Sequence, residues 1–149
     1  MKIIDFEYSN SEYIKHCHFI RMEVFVKEQS IDYEIEFDGE DDISRHFLLF
    51  ENDIPIATAR LRPTAEGLKL ERIASLKEHR NKGIGRKIIE YALNYMKKNK
   101  TIDKVYIHAQ EGAVEFYKKL GFSICSDGFM EAGILHYKMR LAENGEKSN

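Results

Sequence analysis

Residues 68–96 read LKLERIASLKEHRNKGIGRKIIEYALNYM. Apolar and polar side chains alternate over residues 68–74, with a two-residue period that is typical of a β-strand. From Ile84 to Met96 the apolar side chains recur at helical spacing. A polar segment over residues 75–83 separates the two patterns. This part of the chain therefore predicts a strand that leads through a polar loop into a helix.

The loop is basic and contains glycine. Gly83 and Gly85 allow the backbone to approach a ligand closely, and the start of a helix offers free N–H groups and a positive dipole end. The basic residues around them are Arg80, Lys82, Arg86 and Lys87. The pattern favours a phosphate or pyrophosphate ligand, and a helix start without a ligand is the alternative.

Two common nucleotide motifs do not fit this loop. A Rossmann fingerprint requires a third glycine three positions after Gly85, where the chain has Ile88. A P-loop requires Lys and then Ser or Thr after the glycine, whereas Arg86 and Lys87 follow Gly85. The loop therefore predicts a phosphate site of another class.

The composition is that of an ordinary globular protein. The 149 residues are 43% hydrophobic and 32% charged, which suits a single domain with its own core. A net charge of −2 gives no general basic surface, so neither nucleic acid nor a membrane is expected as a partner. No signal-peptide or membrane-spanning pattern is visible, and a cytoplasmic protein is expected.

The remaining patterns predict a mixed α/β chain. Strands are predicted over residues 1–8, 46–51, 54–62, 105–109, 122–125 and 134–141, and helices over 11–28 and 113–120. The Asn52-Asp53 pair predicts a hairpin turn, so three antiparallel strands precede the basic loop. Residues 31–43 are acidic and predict either a solvated loop or a rim that attracts a cationic substrate.

Two motifs resemble those of a known family. Residues 80–85 read RNKGIG and residues 110–122 read QEGAVEFYKKLGF, which in this order resemble the coenzyme loop and the second motif of the GNAT N-acetyltransferase superfamily. Residues 21–29 and 129–136 further resemble its ElaA/YjcF-like branch. The resemblance implies a GNAT fold over residues 1–141, with a mixed, mostly antiparallel sheet of about seven strands and about four helices. A polar C-terminal tail over residues 142–149 follows.

The resemblance implies acetyl-CoA as the acyl donor. The pyrophosphate is expected on Arg80, Asn81, Lys82, Gly83, Ile84, Gly85 and Arg86. The pantetheine arm is expected along Ile73, Ala74 and Ser75, where a strand bulge would free the Ile73 N–H for the thioester carbonyl. The other coenzyme contacts are expected from Gln110, Phe116, Tyr117 and Lys119. Gln110 departs from the family, which usually has Asn there.

The resemblance also implies acid–base groups. Tyr117 matches a tyrosine that acts as general acid toward the coenzyme sulfur, and plain packing is the alternative. Glu71 matches a glutamate that acts as general base, and an ion pair is the alternative; strand alternation predicts Glu71 and Ile73 on one face. Glu28 and His136 are candidates for acceptor binding or proton transfer, and a hydrogen-bonded strand histidine is the alternative for His136. Arg72 could hold either the acceptor or Glu71, and His46 and His108 are weaker candidates.

These features predict an N-acetyltransferase that moves an acetyl group directly from acetyl-CoA to the amine of a small molecule or peptide. The alternatives are a non-catalytic acyl-CoA-binding module and an enzyme that uses a larger acyl group. No metal is expected, because His16 and His18 lie on nearly opposite sides of a helix and no second ligand pair is suitably spaced. The resemblance is also consistent with a homodimer.

Overall fold

Eight strands form one sheet in the computed structural model, which describes residues 1–141. The strands are β1 (Lys2–Glu7), β2 (Arg45–Glu51), β3 (Ile54–Thr64), β4 (Gly67–Ser75), β5 (Val105–Gln110), β6 (Phe122–Ile124), β7 (Phe129–Glu131) and β8 (Ile134–Leu141). Their order is β1-β2-β3-β4-β5-β8-β6, and β7 pairs with the free part of β8. Among these pairs β4–β5 is parallel and the others are antiparallel, which confirms the expected mixed sheet. The tail predicted over residues 142–149 lies outside the described residues.

The sequence analysis missed β7, because a three-residue strand is too short to show a period. It forms a hairpin with β8 through Ala132 and Gly133, whose φ angles are 51° and 77°. Two consecutive residues in the left-handed region are typical of the tight hairpin turns that match strand twist. The hairpin places Glu131 beside the strand ends described below.

Four α-helices accompany the sheet within residues 1–141: α1 (Ser11–Arg21), α2 (Tyr33–Glu36), α3 (Ile84–Lys98) and α4 (Val114–Lys119). The side chain of Asn10 caps α1 by accepting a hydrogen bond from the Tyr13 N–H. At its other end α1 continues as a π-helical segment over Met22–Glu28. No helix in the described part of the chain is long and apolar enough to cross a membrane.

Apolar clusters cover both faces of the sheet. On one face α3 buries a stripe of side chains that are at most 2% exposed: Ile84, Ile88, Ile89, Ala92 and Met96. On the other face α1 and the π-helical segment bury Ile14, Cys17, Ile20, Val24 and Phe25. The α3 stripe has the predicted helical spacing, and its burial fixes the start of α3 close to the end of β4.

The strands β4 and β5 separate soon after they meet. Their parallel pairing consists of Leu68 with Val105 and Lys69 with Tyr106, and no later residues of these two strands pair in the described chain. Unpaired strand edges leave N–H and C=O groups available to an extended ligand. The separation therefore opens a cleft in the middle of the sheet, next to the start of α3.

A bulge interrupts β4 at the mouth of this cleft. The β3–β4 register shifts between Thr58 and Arg60, so that Ala74 faces Thr58 while Glu71 faces Arg60. Opposite the shift, Arg72 has a φ of 53°, which is uncommon for a residue other than glycine. The bulge reverses the alternation: Ile73 packs with the α3 cluster, whereas Glu71 joins charged groups on the α1 face. The prediction that Glu71 and Ile73 share a face was wrong for this reason.

Candidate active site

The cleft between β4 and β5 forms a cavity with a volume of about 410 Å³. Its floor comes from the separated strands, including Ile73 on β4 and Gln110 on β5. One wall is formed by the π-helical segment and the residues after it, and the other by α4 and the β7–β8 hairpin. Apolar and charged side chains both line it, as expected for a site that holds a thioester and an ionisable acceptor.

The predicted phosphate loop lies at one end of the cleft. After a 3₁₀ turn over Lys77–His79, Asn81 and Gly83 adopt φ angles of 67° and 73°, and α3 begins at Ile84. Gly83 has no side chain to cap the helix, so the N–H groups of the first turn point outward without a side-chain partner among residues 1–141. This backbone provides donors for an anion at the position that the sequence predicts.

Arg80 stabilises the phosphate loop through hydrogen bonds. Its guanidinium donates to the Ser75 carbonyl over 2.9 and 3.0 Å and to both carboxylate oxygens of Glu28 over 2.6 Å. The hydrogen bonds from Arg80 lower the pKa of Glu28. Glu28 therefore lies at the loop and not in the main cleft, where the sequence analysis expected it to meet an acceptor.

The other basic residues of the loop remain near the surface. Arg86 pairs with Glu90 over 3.2 Å and Lys82 lies 3.6 Å from Glu51, and both basic side chains are about half exposed. Such exposed pairs are weak, so their charges stay available to a phosphate.

The helix α4 lies against the start of α3. A Cβ atom built on Gly85 would meet the ring of Phe116 at 3.9 Å, which is ordinary van der Waals contact. Phe116 itself is 39% exposed, and Lys119 is exposed at the end of the helix. The structure thus brings Phe116 to the predicted phosphate loop and leaves an open surface around it.

Tyr117 faces the cleft from α4. Its ring packs between Phe116 and Phe122, with ring centroids 5.2 and 5.9 Å away, and it contributes to the cleft lining. Burial raises the pKa of Tyr117 to about 12. Within residues 1–141 its hydroxyl has no hydrogen-bond partner, so at neutral pH it is a protonated donor open to a ligand.

Glu71 is held in a network of buried arginines. Arg60, which is 1% exposed, donates to it over 2.5 and 2.9 Å, and Arg62 donates over 2.7 Å. Burial by itself would raise the pKa of Glu71, but the hydrogen bond from Arg62 and the charges of Arg60 and Arg72 lower it to about 2. A carboxylate with so low a pKa is a poor proton acceptor at neutral pH. The ion pair, not the general base, is the role that fits this geometry.

The same network takes up the acidic segment that the sequence analysis predicted as either a solvated loop or a substrate-attracting rim. Glu36 is 3% exposed and Asp41 is 9% exposed. Arg21 bonds to both of them over 2.8 Å, and Arg60 bonds to Asp41 and Asp38. Neither expectation was right for these three carboxylates, because arginines from α1 and β3 neutralise them inside the protein. Arg60 was the missed signal, since an arginine within an apolar strand requires acidic partners.

Arg72 belongs to this network as well. Its guanidinium lies 2.9 Å from Glu36 and 3.2 Å from Asp38, and it donates to the Ile35 carbonyl over 3.1 Å. Arg72 was expected to hold either the acceptor or Glu71. In the structure its guanidinium lies 3.6 Å from Glu71. The bulged backbone at Arg72 is therefore tied to the acidic segment.

A second, smaller group of ionisable side chains lies on the opposite wall. His108 on β5 places Nδ1 2.9 Å from an oxygen of Glu131, and His136 on β8 places Nε2 3.8 Å from the other oxygen. The hydrogen bond with His108 lowers the pKa of Glu131. The sequence analysis named both histidines but not Glu131, because the strand that carries it was missed. His136 lines the cleft.

Comparison with known proteins identifies the family. Residues 7–143 match the model of the acetyltransferase (GNAT) domain. YjcF of Bacillus subtilis, an uncharacterized N-acetyltransferase, is 38% identical over 131 residues, which cover 87% of this chain and 93% of YjcF.

Two crystal structures have the same fold. An acyl-CoA N-acyltransferase from Pseudomonas aeruginosa superposes with a TM-score of 0.86 and 26% identity, covering 95% of this chain and 99% of the other. Escherichia coli ElaA superposes with a TM-score of 0.83 and 26% identity, covering 93% and 98%.

The chain belongs to the GNAT acetyltransferases, in the branch that includes ElaA and YjcF. It is an acetyl-CoA-dependent acetyltransferase with an acceptor substrate. The predicted family, fold class, activity and acyl donor are thus confirmed.

Proposed function

We propose that acetyl-CoA lies in the β4–β5 cleft and transfers its acetyl group directly to an amine bound at the same site. The separation of β4 and β5, with the bulge and the glycine loop at its mouth, is the observation that carries the proposal. Together these features place a free strand edge, free backbone N–H donors and the start of a helix in one continuous line. An extended thioester with a phosphate end fits such a path.

The phosphate end of the coenzyme binds the loop from Arg80 to Arg86. The free N–H groups at the start of α3 and the exposed charges of Lys82 and Arg86 support this placement. Asn81 and Gly83 support it through their left-handed backbone, which turns the chain into the helix. Arg80 acts indirectly, because its guanidinium is occupied by Ser75 and Glu28. Phe116 and Lys119 flank the coenzyme on α4.

The pantetheine arm follows the free edge of β4 along Ile73, Ala74 and Ser75, with Gln110 on the facing strand. The bulge at Arg72 supports the Ile73 N–H as the donor that polarises the thioester carbonyl. Gln110 approaches Gln29 across the cleft over 3.4 Å, a long and exposed contact that a ligand amide could replace. These two glutamines close the cleft mouth around the arm.

Tyr117 acts as general acid toward the departing thiolate. It is the cleft residue whose hydroxyl is protonated at neutral pH and without a protein partner in the described chain. A hydrogen bond from this hydroxyl stabilises negative charge on sulfur as the C–S bond breaks. Arg72 holds the bulge in place by binding both Glu71 and Glu36 of the acidic segment.

The experiment has two stages. Calorimetric titration with acetyl-CoA, CoA and ATP in parallel tests the coenzyme site, and micromolar binding of the first two with much weaker ATP binding is expected. Thiol release from acetyl-CoA is then measured with a panel of alkylamines, polyamines, amino acids and lysine peptides. Binding without transfer to any amine would favour an acyl-CoA-binding module, and transfer from longer acyl-CoA in preference to acetyl-CoA would favour a larger acyl group.

Three further predictions go with this proposal. A single acetyltransferase domain spans residues 1–141, the protein is cytoplasmic, and it forms homodimers. Limited proteolysis, cell fractionation and sedimentation equilibrium test them in turn.

A further inference from the structure

Two hydrogen-bond acceptors lie close together on the cleft wall. His136 places Nδ1 2.8 Å from the Ile134 carbonyl oxygen, which accepts only, so Nδ1 carries the proton. In the neutral ring, Nε2 then presents a lone pair. It lies 3.8 Å from a carboxylate oxygen of Glu131, beyond hydrogen-bond distance.

The other oxygen of Glu131 is already bound. His108 donates to it from Nδ1 over 2.9 Å, and the pKa of Glu131 is lowered by that hydrogen bond. The ring of Phe129 packs edge-on to His108 and stacks on His136, with centroids 4.9 and 6.0 Å away. The carboxylate is thus an oriented anion with one free oxygen.

The arrangement is accessible. His136 lines the cavity although only 6% of the residue is exposed. Glu131 is 40% exposed and lines the same cavity. Because these two acceptors are 3.8 Å apart, one nitrogen in the cleft can lie within hydrogen-bond distance of both.

The neighbouring carboxylates cannot take this role. Glu36 and Glu71 also line the cleft, but each is buried and bonded to arginine. Among the carboxylates that line the described cavity, Glu131 is the one whose nearest nitrogen partners are histidines. The negative charge of Glu131 is therefore not compensated by an arginine and can attract a cation from solvent.

We propose that Glu131 and His136 form the acceptor subsite: the ammonium group of a primary amine bridges the Glu131 carboxylate and His136 Nε2, and His136 is the general base. His108 is a positioning residue, since it orients Glu131. This inference rests on the proposed function, because the base serves an amine that attacks the thioester in the same cleft.

The proton and electron balance is complete with these groups. The ammonium gives one proton to His136 Nε2, and Glu131 stabilises the imidazolium at 3.8 Å. The nitrogen lone pair forms the C–N bond, and the C–S bond breaks with its electron pair on sulfur. Sulfur takes the Tyr117 hydroxyl proton, tyrosine regains a proton from the amide nitrogen through solvent, and His136 releases its proton to solvent. The products are the N-acetylated amine and CoA.

The pH dependence involves every charged group that faces the subsite. Besides Glu131 on β7, the cleft presents His108 on β5, Lys69, Glu71 and Arg72 on β4, Arg62 on β3 and Glu36 on α2. Lys69 is 3.4 Å from Glu71 and Arg62 is bonded to it, so their charges are largely compensated locally. This leaves His136 as the proton acceptor of the subsite.

His136→Gln is the first test, with the best amine of the panel as acceptor. We expect kcat to fall by about 100-fold, and we expect kcat/KM no longer to decline toward acidic pH. Acetyl-CoA binding should stay unchanged. His16→Gln on α1 is the matched control, because this side chain lies on a helix that borders neither wall of the cavity. An unchanged pH profile in His136→Gln would overturn the assignment of the base.

Glu131→Gln tests the subsite separately. We expect KM for the amine to rise by about 10- to 100-fold, through the loss of a charge-assisted hydrogen bond, with a smaller change in kcat. Ring ¹⁵N NMR of the wild-type protein should show His136 protonated on Nδ1 in its neutral form, and protonation on Nε2 would contradict the proposal. Failure of the wild-type enzyme to acetylate any amine would instead overturn the proposed function itself.

Discussion

Glu71 and Glu131 line the same cleft, yet their surroundings differ in every respect. Glu71 is 8% exposed and bonded by Arg60 and Arg62, whereas Glu131 is bonded by the ring nitrogen of His108 and keeps one oxygen free. Both carboxylates are anionic at neutral pH, since the pKa of each is lowered. One stabilises the bulge that shapes the coenzyme site, and the other is available to an incoming ammonium. A carboxylate's partners, and not its position in a cleft, decide which role it can take.

Gly85→Glu should prevent acetyl-CoA from binding at the cleft that the two carboxylates line. The new side chain places bulk and negative charge where the phosphates are expected, so acetyl-CoA affinity should fall by about 1000-fold or more. Calorimetric titration measures the loss. Gly85→Ala is the matched control, because its Cβ meets the protein only at Phe116, at 3.9 Å. Normal affinity in Gly85→Glu would refute the phosphate-loop assignment.

Arg60→Met tests the structural side of the comparison. It leaves Asp38, Asp41 and Glu71 without their shared buried partner, and the free energy of unfolding should fall by about 3–5 kcal/mol. Urea denaturation followed by circular dichroism measures the change. Arg86→Gln removes an exposed pair with Glu90 and should cost no more than about 0.5 kcal/mol. Equal losses in the two variants would contradict the network's role.

Acid should destabilise the protein through the same carboxylates. The pKa of Glu71 in the folded protein is about 2, below its ordinary value of 4.5, so its contribution is complete above about pH 4.5. As the pH falls toward 2, the folded state loses about 3 kcal/mol from this group. Denaturation midpoints between pH 2 and 6 measure the slope, and Glu71→Gln should flatten it. A variant with the wild-type slope would show that Glu71 is not the responsible group.

Tyr117→Phe gives the smallest of these effects and concerns the chemical step alone. Removing the hydroxyl leaves the ring contacts with Phe116 and Phe122, so coenzyme binding and stability should hardly change. The value of kcat should fall by about 100-fold, because the thiolate loses its proton donor. Steady-state thiol release with saturating acetyl-CoA measures it. Unchanged kcat would leave Tyr117 as a packing residue.

Local patterns predicted the part of the fold that depends on neighbours in sequence. The alternation over β4, the glycine loop and the α3 stripe all appear where the sequence places them, because each rests on spacing within a few residues. The bulge was expected at Ile73 from the family resemblance and not from a local pattern, since Arg72 adopts a positive φ without being glycine. The strand β7 was missed because it has three residues.

The candidate site was less predictable because its electrostatics depend on contacts between distant segments. Glu71 owes its arginine partners to the β3–β4 register, and the acidic segment is neutralised by Arg21 from α1. Glu131 reaches His108 across 23 positions through a hairpin that sequence periodicity does not show. Pairings of this kind become visible only once the strands are in register.

The most direct test of the two-carboxylate account compares Glu71→Gln and Glu131→Gln in one assay. Initial rates of thiol release are measured against amine concentration from acid to neutral pH, on the folded fraction of each variant. We predict that Glu131→Gln raises KM for the amine, whereas Glu71→Gln retains the wild-type kcat and acidic limb and loses stability. If Glu71→Gln lost the acidic limb of the pH–rate profile while Glu131→Gln kept a normal KM for the amine, the account would be contradicted. The general base would then lie on β4.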